Sequence, residues 1–147
     1  MTASDAQWTP RHKFSAYELL STGRLGKFEW GSTRDEIETA LGPPEGYSKQ
    51  GKQHFALQYG NLILTFKRDT GLVSLSAEFG GPEQESICFE SKHPTRQHVL
   101  DWLKQHTIPH RIEPSLGMTP FIELENGVRV FWDESVGVLS LSHSLGT

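Results

Sequence analysis

Seven histidines are the first residues to weigh, because imidazole serves both as a metal ligand and as a base near neutral pH. His106 and His110 stand four apart, a spacing that puts two ligands on one helix face. Pro109 lies between them and breaks any such helix. His93 and His98 are five apart and straddle an expected helix start. Neither pair has an Asp or Glu at a recognisable ligand spacing, so these side chains read as solvent-facing or capping groups, and no metal or cofactor is expected. The single cysteine, Cys88, lies in an alternating stretch with Ile87 and Phe89 on the opposite face. It reads as a small hydrophobe rather than a nucleophile. Asp133 and Glu134 are adjacent carboxylates, and a solvated turn is their stronger reading. No Gly-x-Ser-x-Gly elbow, phosphate-binding loop or dinucleotide fingerprint is present. No catalytic residue is therefore assigned, and the expectation is that the chain is not an enzyme.

The 147 residues suit one domain or two small units sharing a core. Hydrophobic residues make up 35% and charged residues 22%, and the mean hydropathy is -0.46, which is a globular composition. Lys and Arg total 14 against 18 for Asp and Glu, giving a net charge of -4. That balance argues against general nucleic-acid binding, which needs a cationic field. One cysteine allows no intrachain disulfide and no cysteine-rich zinc site. No run approaches 18 apolar residues, so no membrane-spanning helix is expected. The first ten residues have no basic region, apolar core or small-residue cleavage site. With the lone thiol, this gives the expectation of a cytoplasmic protein.

The elements that would position any site come in two similar sets. Gly71-Leu72-Val73-Ser74-Leu75-Ser76 matches Gly137-Val138-Leu139-Ser140-Leu141-Ser142 at an offset of 66, with four positions identical. Leu62, Leu64 and Phe66 match Val128, Val130 and Trp132 at the same offset, with the period-two spacing of a strand. Upstream, Thr33–Leu41 matches Thr95–Leu103 at an offset of 62. Thr33 and Glu36 form a capping box, and Ile37, Ala40 and Leu41 make one apolar stripe. Gly42 suits a left-handed helix end, and Pro43-Pro44 prevents continuation. Thr95 caps the second helix, whose stripe is Val99, Trp102 and Leu103 and which should end by Thr107, before Pro109. A third helix is expected near Ser15–Thr22, opened by a capping box of Ser15 and Glu18 and closed by Gly23.

Strands are expected at Phe28 and Trp30, at Phe55–Tyr59, at Leu62–Lys67 and at Leu72–Phe79, with a short one at Glu85–Glu90. The second set has Phe121–Leu124 and Val128–Trp132 around Asn126-Gly127, the strongest short hairpin signal. Pro43–Gln53 is polar and rich in Gly and Pro, so it reads as an exposed loop. The expected class is α+β, with two tandem helix-plus-antiparallel-β-meander units forming one compact protein. Residues 1–26 form an N-terminal segment with a short helix, 27–82 the first unit and 83–147 the second.

Trp30-Gly31-Ser32-Thr33-Arg34-Asp35-Glu36-Ile37, then Ala40-Leu41-Gly42-Pro43-Pro44, then Gln58-Tyr59-Gly60-Asn61-Leu62-Ile63-Leu64-Thr65-Phe66 form an ordered string. It resembles a group of small bacterial proteins of toxin neighbourhoods that are regarded as candidate immunity proteins. The helix-then-meander plan is also similar to tandem-repeat β-lactamase inhibitor proteins and small outer-membrane assembly lipoproteins. The resemblance covers about Lys27–Phe79 and only loosely His93–Leu145. The lipoprotein version needs a signal and an N-terminal cysteine, and the inhibitor version needs disulfides; this chain has neither.

The resemblance implies a binding protein that blocks a toxin. The acidic balance would help it meet a basic partner. Partner-binding candidates are Glu45 and Tyr47 in the Pro43–Gln53 loop, and Trp132, Asp133 and Glu134 in the second unit. Against these stand a merely tolerated loop and a tryptophan packed in the core. A small-molecule-binding or sensor protein, a secretion adaptor, and an enzyme with an unrecognised site remain as alternatives. The oligomeric state is left open.

Overall fold

The computed structural model describes residues 8–26, 29–81, 83–91, 93–115, 118–133 and 138–144. Three helices form where side chains can satisfy the free N–H groups of the first turn. Helix α1 is Ala16–Thr22, α2 is Arg34–Leu41 and α3 is Arg96–Gln105. In α2 the capping box is complete: Thr33 Oγ1 accepts from the Glu36 N–H at 3.1 Å, and Glu36 Oε1 accepts from the Thr33 N–H at 3.0 Å. In α1 the expected box does not close. Ser15 Oγ accepts from the Tyr17 N–H, and Glu18 accepts instead from the Gly26 N–H, which the turn at Gly23 (φ 74°) brings back over the first turn. Gly42 ends α2 at φ 86° and ψ -170°, an extended exit rather than a left-handed helical one.

Helix α3 ends in a Schellman arrangement. The Ile108 N–H donates to the Leu103 carbonyl at 2.9 Å and the Thr107 N–H to that of Lys104 at 3.2 Å. The residue between them, Thr107, has φ 53° and is the only non-glycine at positive φ among the described residues. A β-branched side chain is ill-suited to that conformation.

Eight strands form one antiparallel sheet. Strands β2 (Gly46–Gln50), β3 (His54–Tyr59), β4 (Leu62–Lys67) and β5 (Gly71–Phe79) make one meander. Strands β7 (His110–Ser115), β8 (Met118–Leu124), β9 (Arg129–Asp133) and β10 (Val138–Ser144) make another. The order across the sheet is β2-β3-β4-β5-β10-β9-β8-β7. The meanders meet at β5 and β10, which pair antiparallel from Leu139↔Phe79 to Ser144↔Ser74. Two short strands, β1 (Phe14–Ser15) and β6 (Ile87–Cys88), pair in parallel apart from the sheet.

Three strand expectations need correction. Pro43–Gln53 is not a loop, because Gly46–Gln50 pairs with β3 throughout. It lacks alternation because Tyr47–Gln50 of this edge strand stay exposed, so no continuous apolar side has to be concealed. Trp30 lies in a turn, not a strand, and Phe28 falls outside the described residues. Glu85–Glu90 contributes only Ile87–Cys88, which joins β1. Strand β7 has no counterpart among the expectations.

Leu57, Tyr59, Leu64, Phe66, Leu75, Ala77, Phe79, Ile122, Val130, Leu139 and Leu141 share one face of the sheet. They form a single core with Leu19, Leu20, Ile37, Leu41, Val99 and Leu103 of the three helices. The protein is therefore α+β and compact, with helices on one side of a large sheet. The segment between the meanders is held by buried Asn61. Its Nδ2 donates to the carbonyls of Glu78 (3.1 Å) and Ile87 (2.8 Å), and its Oδ1 accepts from the N–H groups of Ser86 (2.8 Å) and Ile87 (3.2 Å). Neighbouring Gly60, at φ 60°, must be glycine, since a Cβ there would run into the Gln84 carbonyl.

Two stability outcomes follow from these local geometries. Asn61→Ala removes the partner of four backbone groups, three of them on the buried residues Ser86 and Ile87, and should cost about 3 kcal/mol or more in urea unfolding. Thr107→Gly should stabilise by roughly 0.5–1 kcal/mol. That is the ~1–2 kcal/mol left-handed cost of an L side chain less the ~0.5–1 kcal/mol backbone entropy of glycine.

Candidate binding surface

The pleat that sends leucines to the helices sends alternate residues to the other side. All three helices put their buried residues into the one core, so the opposite sheet face receives none of them. Its centre is small and polar: Ser74, Ser76 and Glu78 on β5 lie beside Ser144, Ser142 and Ser140 on β10. A shallow depression of about 260 Å³ sits here, bordered by Gln58, Ile63, Ser76, Glu78, Ser140 and Ser142.

The β7–β9 end of this face is different. Phe121 and Phe131 face one another across β8 and β9, ring centroids 5.2 Å apart. The Arg129 guanidinium lies 5.5 Å over the Phe121 ring. Glu123 bridges two arginines, accepting from Arg129 at 2.9 Å and from Arg111 at 2.7 Å, and Arg111 also pairs with Glu113. Burial would raise the Glu123 carboxyl, but the hydrogen bonds from Arg129 and Arg111 outweigh it and hold the group below its usual range. Half-buried aromatics among hydrogen-bonded guanidinium and carboxylate groups match the composition of protein-interface anchors.

The structure places the four described partner-binding candidates in two separate regions. Glu45 is exposed just before β2, and its N–H donates to the Gln58 carbonyl. Tyr47 is on β2, 49% exposed, with its ring stacked on Phe55 and the Arg34 guanidinium 5.0 Å above. Trp132 is only 9% exposed and faces the helices, beneath the Arg96 guanidinium of α3 at 4.8 Å. Asp133 closes β9 opposite Val138, and Glu134 lies outside the described residues. Strands β2 and β9 are five steps apart in the sheet, about 24 Å at ~4.8 Å per step, so the two sets do not form one site. Phe121, Glu123, Arg129 and Phe131 were missed. The alternation of Ile122 with Leu124 and of Val130 with Trp132 already implied that these residues share the other face.

Comparison with protein-family models, curated proteins and solved structures finds no match.

One polar cluster has the makings of chemistry. The Tyr17 hydroxyl lies 2.9 Å from Glu90 Oε1 and 2.7 Å from His98 Nε2. A phenol has one proton. When Glu90 accepts it, Nε2 of His98 must carry the hydrogen that reaches the phenol oxygen. Burial, then the hydrogen bond and charge of Glu90, push the Tyr17 hydroxyl up to about 12, so it stays protonated at neutral pH. Trp102 stacks on Tyr17 at 4.7 Å and His106 on Trp102 at 4.3 Å. The cluster therefore ties α1 to the segment after β6 and to α3. Cys88 is half-buried, with Sγ 3.7 Å from the Phe14 carbonyl oxygen. Among the described residues no three His, Cys, Asp or Glu side chains converge in a way that could hold a metal ion.

His143 is buried behind the sheet's inner face, edge-on to Trp30 at 5.0 Å. Its Nδ1 finds no partner among the described residues. Burial lowers its pKa, partly opposed by the nearby Gly127 backbone. The unfolded chain thus takes up the proton first. Stability from neutral His143 is complete above the ordinary pKa of 6.5 and is lost as pH falls from there through the lowered folded value. An NMR titration should show an imidazole midpoint below 6.5, and His143→Gln should flatten the fall in urea midpoint below that pH. Tyr17→Phe should cost about 1–2 kcal/mol in the same assay, since two hydrogen bonds go while the Trp102 stack remains.

Proposed function

We propose that this chain is a non-enzymatic, cytoplasmic protein-binding module, an immunity protein that neutralises a bacterial toxin by binding it. The observation that carries the proposal is the uncovered sheet face with Phe121, Phe131 and Arg129 at one end and serines at its centre. A flat polar centre beside aromatic and guanidinium anchors suits recognition of another protein surface. The net charge of -4 adds attraction toward a basic partner.

We further propose that the face is built from two tandem units. Each meander follows a threonine-capped helix. The offset of 66 that relates the repeated strands maps Ser76 onto Ser142, and these two residues stand opposite each other where β5 meets β10. A two-fold relation between units requires its axis to pass between equivalent residues, and this pairing supports one.

Small-molecule binding is the second reading. A cleft of about 180 Å³ between Gly23, Arg24, Leu25, Glu29, Trp30 and Leu72 favours it. It is smaller than the roughly 300–1,000 Å³ of a pocket for a drug-sized ligand, whereas an open depression of about 410 Å³ bordered by Pro109, His110, Arg111 and Glu123 falls within that range.

Co-expression with the product of a neighbouring toxin gene tests the first reading. Growth should be rescued and the two chains should co-purify. Phe121→Ala with Phe131→Ala should weaken the complex by at least about 2 kcal/mol, the usual hot-spot threshold. Rescue without a complex, or turnover of a small molecule by this chain alone, would sink the proposal.

A further inference from the structure

The two edges of the sheet are not alike. Strand β7 contains Pro114, which has no N–H to offer, and its pairing with β8 slips between Glu113 and Ser115. Proline and irregular register are two of the devices that stop an edge from accepting another strand, and strand β2 has neither. Its own device is Lys49, a charge that repels cationic neighbours but not acidic ones. Gly46–Gln50 contains no proline and pairs with β3 without a break from Gly46↔Gln58 to Gln50↔His54. Tyr47, Ser48, Lys49 and Gln50 are all exposed. Alternate residues of such a strand turn both N–H and C=O outward.

We infer that β2 is a docking edge for an extended acidic segment of the partner protein, which adds to the sheet as a ninth strand. The inference rests on the reading of the chain as a protein-binding module. Charge selects the occupant. Lys49 is on the edge itself, and Lys52 lies in the turn that follows. Arg68 is fastened to that turn, its Nε donating to the Lys52 carbonyl at 3.0 Å and its N–H to that of Gln53 at 2.8 Å. Lys67 stands opposite His54, which stands opposite Gln50. Among the described residues these four cations make no ion pair. The whole chain is acidic, yet this corner gathers four cations without an ion pair beside the one carboxylate of Asp69.

The field also runs along the strand. Glu45 precedes β2, whereas Lys49 and Lys52 lie toward its other end. Tyr47 and Lys49 point to the same face, two residues apart. Tyr47 is held by Phe55 at 5.8 Å beneath it and Arg34 at 5.0 Å above it, a fixed platform for an apolar side chain directly across. The added segment thus needs an apolar residue opposite Tyr47 and a carboxylate opposite Lys49, on one face. A second copy of this chain, paired antiparallel about Tyr47, would set its Glu45 opposite Lys49 but would bring four more cations with that one carboxylate, so an acidic segment is the better complement and self-pairing is an outcome that the test separates.

The probe is the end-blocked heptapeptide Thr-Glu-Thr-Glu-Thr-Leu-Thr, which sets Glu and Leu on one face in the order an antiparallel neighbour requires. NMR of the intact protein should show shifts and slowed amide exchange at Gly46–Gln50. The same peptide with lysine for glutamate should bind at least tenfold more weakly. Lys49→Glu with Lys52→Glu should reverse that preference, and the folded spectrum elsewhere serves as the control. Equal binding of the two peptides, perturbation confined to β7 or to the Phe121–Phe131 face, or indifference to the double charge reversal would overturn the inference. So would exchange protection of β2 that rises with protein concentration alone, which marks self-pairing. A toxin complex weakened by Phe121→Ala with Phe131→Ala but untouched by the charge reversal would leave the protein-binding reading standing and remove this one.

Discussion

The antiparallel pairing of β5 with β10 is the constraint on which the rest of the structure depends. Each meander is a chain of local hairpins, and local hairpins alone are marginal in water. The β5–β10 ladder joins residues 60 to 70 positions apart and turns two four-stranded ribbons into one eight-stranded sheet. Its register has little freedom. A slip of one residue would send Leu139 and Leu141 to the serine side and Ser140 and Ser142 into the core. Phe79, Ala77 and Leu75 impose the same parity from β5. The serine centre of the open face and the leucine centre of the core are thus two results of one register.

With the sheet set, the helices have a single face on which to bury their stripes. Ile37 and Leu41 of α2, and Val99 and Leu103 of α3, follow the same i, i+4 spacing and enter the same core as Leu19 and Leu20 of α1. The chain must cross from one meander to the other without leaving buried backbone groups unpaired. Asn61 meets most of that need, and the β1–β6 pair and the Tyr17 cluster fasten the same segment from the other side.

The helices and hairpins were legible in the sequence because their signals are local. Thr33 with Glu36, Thr95, Asn126-Gly127 and the alternation of Leu62, Leu64 and Phe66 each act within a few residues. Strand β2 was illegible for a physical reason. It is stabilised by backbone pairing to β3 while Tyr47–Gln50 remain in solvent, so no hydrophobic pattern records it. Strand β7 carries two features that argue against a strand, Pro109 before it and Pro114 within it, yet an edge tolerates proline. The Ser15–Glu18 box failed because a tertiary partner, the Gly26 N–H, took the carboxylate. For the site, the alternation of Val130 with Trp132 places Trp132 inward and Phe131 outward, and that of Ile122 with Leu124 places Phe121 outward, so parity rather than residue type marks the anchors. The separation of Tyr47 from Trp132 depends on strand order, which no spacing in the sequence encodes.

The distribution of polar groups explains why surfaces rather than pockets carry the functional argument. The residues best equipped for proton transfer, Tyr17, Glu90 and His98, are satisfied by one another. Together they join a helix, a connecting segment and a second helix, and burial and Glu90 keep the Tyr17 phenol protonated. His143 is enclosed by Trp30 and the Gly127 turn. Asn61 has its side-chain donors and acceptor engaged by backbone. Apart from the buried Glu85 Oε2, Ser86 Oγ and His143 Nδ1, what stays unsatisfied lies outside: the outward N–H and C=O groups of β2, the lone cations around its C-terminal end, and the aromatic pair beside Arg129. Groups of that kind gain most from a large, complementary partner. A small substrate could engage only one of them, whereas another protein can cover an edge and a face together.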